Sequence, residues 1–139
     1  MNNLIGTLFT IAGSIVLLLF GIIYLIRPKF MGYHKIAIQK DWSELVPEFQ
    51  TLILALMRTV SGGFISIAVA IIILQIEFNK SQNPWIALTI LIVGGVLNLC
   101  TLYATLLVRT KTKGRPPTVI VLLLLILLLV GYFFNISGK

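Results

Sequence analysis

Arg58 is the ionisable residue of this sequence that lies furthest inside an apolar run, and it is the first candidate for chemistry. It interrupts the run from Leu52 to Ile76, and ionisable side chains inside a membrane-spanning segment usually mark function. At about 1.5 Å per residue, Arg58 is expected about 9 Å to the cytoplasmic side of the middle of the run. Two interpretations are open: the side chain reaches the lipid headgroups, or it provides a cation to a pocket between helices.

A stripe of small and polar residues on the third apolar run is the second candidate. Gly94, Asn98, Thr101 and Thr105 recur at steps of three and four residues, which is the spacing of one helix face. Small residues at this spacing let helices approach closely in lipid, so helix packing is one interpretation. The other is a ligand pocket that opens to the cytoplasm. The residues predicted to bind the ligand are Arg58, Asn98, Thr101, Tyr103 and Tyr24.

The connection between the first two apolar runs is the third candidate. His34 lies near Asp41 and Glu44, and a histidine beside carboxylates is typical of proton transfer. Trp42 between them suits the depth of the lipid headgroups. The alternative is a solvated collar of ion pairs that positions the connection. Because no nucleophile or set of metal ligands accompanies His34, we predict no catalytic residue, no metal and no cofactor.

The composition shows which elements must position these residues. Of 139 residues, 58% are hydrophobic and 11% are charged, whereas soluble domains have about 25% charged residues. Runs long enough to cross a bilayer as helices extend over about 4–26, 52–76, 85–108 and 119–136. We therefore predict an all-α fold, an integral membrane four-helix bundle that forms a single transmembrane domain over 1–139.

Basic residues predict the orientation of the bundle. They cluster in two connections, Arg27, Lys29, Lys35 and Lys40 in 27–51, and Arg109, Lys111, Lys113 and Arg115 in 109–118. Short connections rich in Lys and Arg stay cytoplasmic, so both termini are expected outside. The net charge of +7 is explained by this topology and by anionic headgroups. We therefore predict membrane lipids, and not nucleic acid, as partners.

The connection 27–51 is amphipathic. Its pattern predicts a short interfacial helix over 30–40, and Asp41 and Glu44 have the spacing of a capping box. Pro47 is expected as the first residue of the second long helix, where its missing N–H costs nothing.

Small-residue faces predict how the long helices pack. The first run has Gly6, Thr10, Gly13 and Ser14 on one face, and the second run has Thr59, Gly63, Ser66 and Ala70. The fourth run is apolar all round, and no small-residue stripe is identified on it. The first three helices are therefore expected to form the core. The fourth is expected to be the most lipid-exposed, or to provide the contact of a homo-oligomer.

The segment Arg58-Thr59-Val60-Ser61-Gly62-Gly63, within a layout of four helices, resembles the small DoxX-like bacterial membrane proteins. The resemblance is carried by Arg58, Gly62 and Gly63. It implies a helical bundle of the bacterial inner membrane.

Three functions follow from these features. The first is a non-catalytic membrane protein that binds a lipid or a small apolar ligand, or assists a membrane partner, through a pocket near Arg58. The second is a small oligomeric transporter or channel, in which Arg58 provides a pathway for an anion. The third is a membrane enzyme that uses His34 with Asp41 or Glu44, and it has the weakest support.

Overall fold

The computed structural model describes residues 2–137. Most of these residues are in helices, and none of them is in a strand. The prediction of an all-α fold is confirmed. The chain forms α1 (Asn2–Ile26), α2 (Gly32–Ile38), a 3-10 turn (Trp42–Glu44), α3 (Pro47–Ser81), α4 (Pro84–Lys111) and α5 (Thr118–Ser137). Four helices, all except α2, are long and apolar enough to cross a membrane, which makes this a multi-pass membrane protein. Residue 1 and residues 138–139 of the predicted domain lie outside the described residues.

The ends of the long helices follow proline and capping signals. Pro47 is the first residue of α3, as predicted. Asp41 and Glu44 cap the 3-10 turn, where the Asp41 backbone N–H donates to Glu44 Oε2 over 2.8 Å. At the far end of α3, Gln82 has a left-handed backbone with φ 51°, which ends the helix directly before Pro84 begins the next one.

The four long helices form a ring in chain order. α1 packs against α3 and α5, and α4 packs against the same two helices. Two hydrogen bonds fix the antiparallel register of α1 and α3. Ser61 Oγ donates to Gly21 O over 2.7 Å, and Gln75 Nε2 donates to Thr7 Oγ1 over 3.2 Å. α1 and α4 therefore face each other diagonally across the interior of the bundle.

The prediction that α5 is the most lipid-exposed helix is wrong, and so is the expectation that the first three long helices alone form the core. One face of α5 is buried between α1 and α4. The buried residues are Thr118, Val121, Leu124, Leu128, Gly131 and Asn135. Lipid is as apolar as leucine, so the apolar residues of α5 do not decide which face is buried. Gly131 and Asn135 determine which face of α5 is buried. Gly131 lets α1 approach closely, and Asn135 has a side-chain amide that needs hydrogen-bond partners.

The predicted packing face of α3 is also wrong. Thr59 and Ser66 are exposed, and a side-chain carbon on Gly63 would meet no atom within 4 Å. The hydroxyls do not need a partner helix, because each donates to its own backbone, as Ser66 Oγ does to Gly62 O over 2.8 Å. The buried face instead has Met57, Ser61, Phe64, Ala68, Ile71, Gln75 and Phe78. On α1, the predicted face is confirmed, with Thr10 and Ser14 buried.

The two basic connections lie together at one end of the bundle, which we call the basic end (residues 27–46 and 112–117). A side-chain carbon on Gly114 would lie 2.8 Å from Ala37 Cβ and 2.9 Å from Tyr33 O. The α4–α5 connection therefore packs directly on α2, and the prediction that both connections share one side is confirmed. The opposite end contains the start of α1, the α3–α4 turn and the end of α5. We call it the amide end, after Asn3, Gln75, Asn79, Gln82 and Asn135.

Candidate functional site

A cavity of about 50 Å³ lies inside the bundle in its basic half. Leucine, isoleucine, valine and phenylalanine side chains form most of its wall, and all four long helices contribute to it. Of the predicted ligand-binding residues, the structure brings together Tyr24, Asn98 and Thr101, and it adds Tyr33 and Thr105. Only Phe64 lines the cavity from α3, so the cavity lies mainly between α1, α4 and α5.

The polar groups of the cavity on α4 are held by their own helix. Thr101 Oγ1 donates to Leu97 O over 2.8 Å, and Thr105 Oγ1 donates to Leu102 O over 2.9 Å. A hydroxyl that donates its hydrogen to the backbone keeps lone pairs as acceptors. The cavity is therefore an apolar space with a few acceptor oxygens on the α4 side.

Tyr33 of α2 lines the cavity at the basic end. The hydroxyls of Tyr24 and Tyr33 are hydrogen-bonded to each other. Phe30 is buried beneath this segment, and its ring meets the Trp42 ring edge-on at 5.1 Å. The Gln50 side chain holds the 3-10 turn in place, because its Nε2 donates to Trp42 O over 2.7 Å. The predicted interfacial segment therefore includes a helix, α2, whose Tyr33 is part of the cavity wall.

A second cavity of about 20 Å³ continues from the first toward the amide end. The two cavities share Leu17, Asn98 and Leu124. The polar lining of the second cavity consists of Thr10, Ser14 and Asn98. Asn98 therefore lies at the boundary between the two cavities.

Arg58 does not line either cavity, so these cavities do not bring it together with Tyr24, Asn98 and Thr101. It is exposed on the outer face of α3. Ser61 is level with Gly21, so Arg58, one turn away, is level with Tyr24 and close to the end of α1. Measured along α1, this position is about 13 Å from the middle of the 4–26 run. Arg58 is thus placed where its side chain reaches headgroups.

Tyr103, the other predicted residue outside the cavities, has 70% of its surface exposed. Tyr103 comes directly after Leu102 in the sequence, and it lies on a face of α4 that points away from the bundle. The structure therefore separates Arg58 and Tyr103 from Tyr24, Asn98 and Thr101.

The predicted residues of the connection form a collar of local bonds. The His34 Nδ1 accepts the Met31 backbone N–H over 3.3 Å. Asp41 forms an ion pair with Lys35, with 2.6 Å between Oδ1 and Nζ, and Glu44 accepts the Asp41 N–H. Burial lowers the pKa of the His34 imidazole, because desolvation disfavours its charged form. This arrangement fits the interpretation as a positioning collar better than a proton-transfer pair.

A buried amide network at the amide end is a feature that the sequence reasoning missed. Gln75 is 0% exposed and accepts the Asn135 Nδ2 hydrogen over 3.0 Å. Its own Nε2 donates to Thr7 Oγ1 over 3.2 Å and to Asn79 Oδ1 over 3.1 Å. The signal in the sequence is that Thr7, Gln75 and Asn135 all lie near the same end of their apolar runs. The network satisfies the Gln75 and Asn135 side chains, whereas the buried Asn3 Oδ1 at the same end has no hydrogen-bond partner among residues 2–137.

Comparisons with protein-family models, with curated proteins and with solved structures found no match. The DoxX-like resemblance therefore stays a prediction. Its residues Arg58 and Gly62 lie on the outer face of α3, and Gly63 beside them is half-buried.

Proposed function

We propose that this protein is a non-catalytic membrane protein that binds a small, mainly apolar ligand or a segment of a lipid inside the helix bundle. The observation that carries the proposal is the cavity of about 50 Å³ between α1, α4 and α5. Its wall is apolar and aromatic with few polar groups, which is the usual lining of a small-molecule site. Assistance to a membrane partner is compatible with such binding.

The lining of the interior favours binding over ion transport. No Lys, Arg, Asp or Glu side chain lines either of the two cavities. Coupled transport usually uses an ionisable side chain inside the membrane. Arg58 lines neither cavity, so the cavities within one bundle offer no cation to the anion pathway of the oligomeric transporter or channel.

The proposed orientation places the basic end in the cytoplasm and both termini outside, in the inner membrane of a bacterium. It rests on the Lys and Arg residues of both connections and on the DoxX-like resemblance. Anionic lipid headgroups are the proposed partners of this end. A membrane-impermeant amine reagent that modifies Lys111 in sealed, right-side-out vesicles contradicts this orientation.

A pair of valines on α5 tests the binding proposal. Val121 is 6% exposed and lines the cavity, whereas Val119 is 73% exposed on the same helix. The probe is a four-carbon aliphatic diazirine, which suits the size of the cavity. It is photolysed on the purified protein in detergent, and the labelled residues are mapped by mass spectrometry. We expect saturable labelling of Leu17 and Leu124 in the wild type and in Val119→Phe, and its loss in Val121→Phe.

Retention of this labelling in Val121→Phe, with the helical circular dichroism unchanged, contradicts binding inside the cavity. Absence of saturable labelling in the wild type contradicts it as well. If Val121→Phe does not fold, Val121→Leu provides the smaller change, for which we expect weakened labelling.

A further inference from the structure

We infer that the ligand is an uncharged molecule with a single hydroxyl group, and that Asn98 and Ser14 bind this group. The inference rests on the proposed function, and it names the chemical class of the ligand and the part of the interior that recognises it. The apolar part of the ligand occupies the first cavity, and its hydroxyl reaches the second.

Asn98 is the central residue of the inference. It is 9% exposed and lines both cavities. One hydrogen of its Nδ2 is donated to Gly94 O over 3.0 Å. A side-chain amide has two donor hydrogens and an acceptor oxygen. Among residues 2–137, no side chain or backbone group bonds the Asn98 carbonyl oxygen, so an acceptor and a donor stay available at the boundary of the two cavities.

Thr10 and Ser14 complete the polar lining of the second cavity. Both residues are buried, and their hydroxyls donate to their own helix. Thr10 Oγ1 bonds Gly6 O over 2.9 Å, and Ser14 Oγ bonds Thr10 O over 2.9 Å. The Ser14 oxygen therefore keeps lone pairs as acceptors, whereas Thr10 Oγ1 lies against Gly131, where an added Cβ would be 2.5 Å from it.

These groups match a hydroxyl better than any charged group. A hydroxyl donates once and accepts, so it fits a lining with several acceptors and the one donor that Asn98 provides. A carboxylate has no hydrogen to donate and finds no cation here, and an ammonium finds no carboxylate. The cavity of about 20 Å³ also has room for one water molecule, which a ligand hydroxyl would replace.

The space on the other side of Asn98 accommodates the apolar part of such a molecule. Leu17 and Leu124 line both cavities and join them along the bundle axis. Phe20 and Val121 extend the apolar wall toward the basic end. A chain attached to the bound hydroxyl therefore passes from a polar site into an apolar one without crossing a charged side chain.

Three diazirine probes of equal chain length test the inference: a four-carbon alcohol, the corresponding hydrocarbon, and the corresponding carboxylate at alkaline pH. The measurement is the probe concentration that gives half-maximal labelling of Leu17 and Leu124. We expect the alcohol to label at about fivefold lower concentration than the hydrocarbon, the effect of one net hydrogen bond. The carboxylate is expected to be the weakest of the three.

Asn98→Leu is expected to abolish the preference for the alcohol and to keep labelling by the hydrocarbon. Thr89→Val is the matched control, because Thr89 is exposed on the same helix, donates its hydroxyl hydrogen to Trp85 O and lines neither cavity. It is expected to keep the preference. If Asn98→Leu does not fold, Ser14→Ala provides a milder removal of one acceptor, for which a reduced preference is expected.

Equal half-maximal concentrations for the alcohol and the hydrocarbon overturn the inference, as does a preference that survives Asn98→Leu. So does a carboxylate that labels as well as the alcohol. In each of these cases the hydrocarbon still labels the cavity, and the proposed function stands. If none of the three probes gives saturable labelling, the proposed function itself fails.

Discussion

Two glycines on different faces of the bundle are expected to respond in opposite ways to the same substitution. At Gly6 on α1, an added Cβ would lie 2.8 Å from the backbone N of Asn135 on α5. The backbone of α5 cannot rotate away as a side chain can, so the two helices must move apart. At Gly95 on α4, an added Cβ would meet no atom within 4 Å.

The expected free-energy changes follow from these distances. Overpacking of an interior typically costs about 1–3 kcal/mol, and separation of α1 from α5 also strains the bond between Asn135 and Gln75. We expect Gly6→Ala to lower the free energy of unfolding by about 2 kcal/mol. Gly95→Ala is expected to raise it by up to about 1 kcal/mol, because alanine restricts the unfolded backbone and favours the helix.

The assay is equilibrium unfolding in mixed micelles, followed by circular dichroism, with the wild type, Gly6→Ala and Gly95→Ala measured together. Gly62→Ala on α3 is a second control, since its added Cβ also meets open space. Changes of the same sign and size for Gly6→Ala and Gly95→Ala refute the reasoning, because they show that α1 and α5 are not in close contact at Gly6.

Two further predictions concern the amide network and His34. Gln75→Leu is expected to destabilise the fold by about 2 kcal/mol, at about 0.6 kcal/mol for each hydrogen bond in a membrane interior. In the same unfolding assay, the Gln75→Leu/Asn135→Leu pair should cost less than the sum of the two single changes, and additivity contradicts the network. Burial lowers the pKa of His34 from its ordinary value of 6.5, so the unfolded chain binds the proton more readily, and stability falls as the pH drops below about 6.5. Thermal unfolding across this pH range should show a flatter dependence for His34→Gln, and an unchanged dependence assigns the effect to other groups.

The four long helices could be predicted from the sequence because apolar length and proline positions determine them almost alone. Pro47 begins α3 as predicted, and Pro84 begins α4 one residue before the predicted run 85–108. The inward faces of α1 and α4 were also predictable, since Thr10, Ser14, Gly94 and Asn98 combine small size with polar groups at helical spacing. These features identify a buried face whether the surroundings are water or lipid.

The buried faces of α3 and α5 could not be predicted in the same way. In lipid, apolar side chains do not distinguish the interior from the exterior, and Thr59 and Ser66 satisfy their hydroxyls on their own helix. The true face of α3 depends on Ser61 and Gln75, whose partners lie on other helices. The cavity residue Tyr33 was likewise out of reach, because its contact with Tyr24 depends on the tertiary position of α2.

The contact between α1 and α5 joins the first and the last helix of the chain. During synthesis the amino-terminal helices emerge first, so α1 and α3 meet while Asn135 is still untranslated. Until α5 arrives, Gln75 lacks its reciprocal amide and Thr10 lacks the close surface of Gly131. The ring of helices therefore closes only after α5 has been synthesised, and a chain truncated before α5 is expected to leave Gln75 without the amide of Asn135.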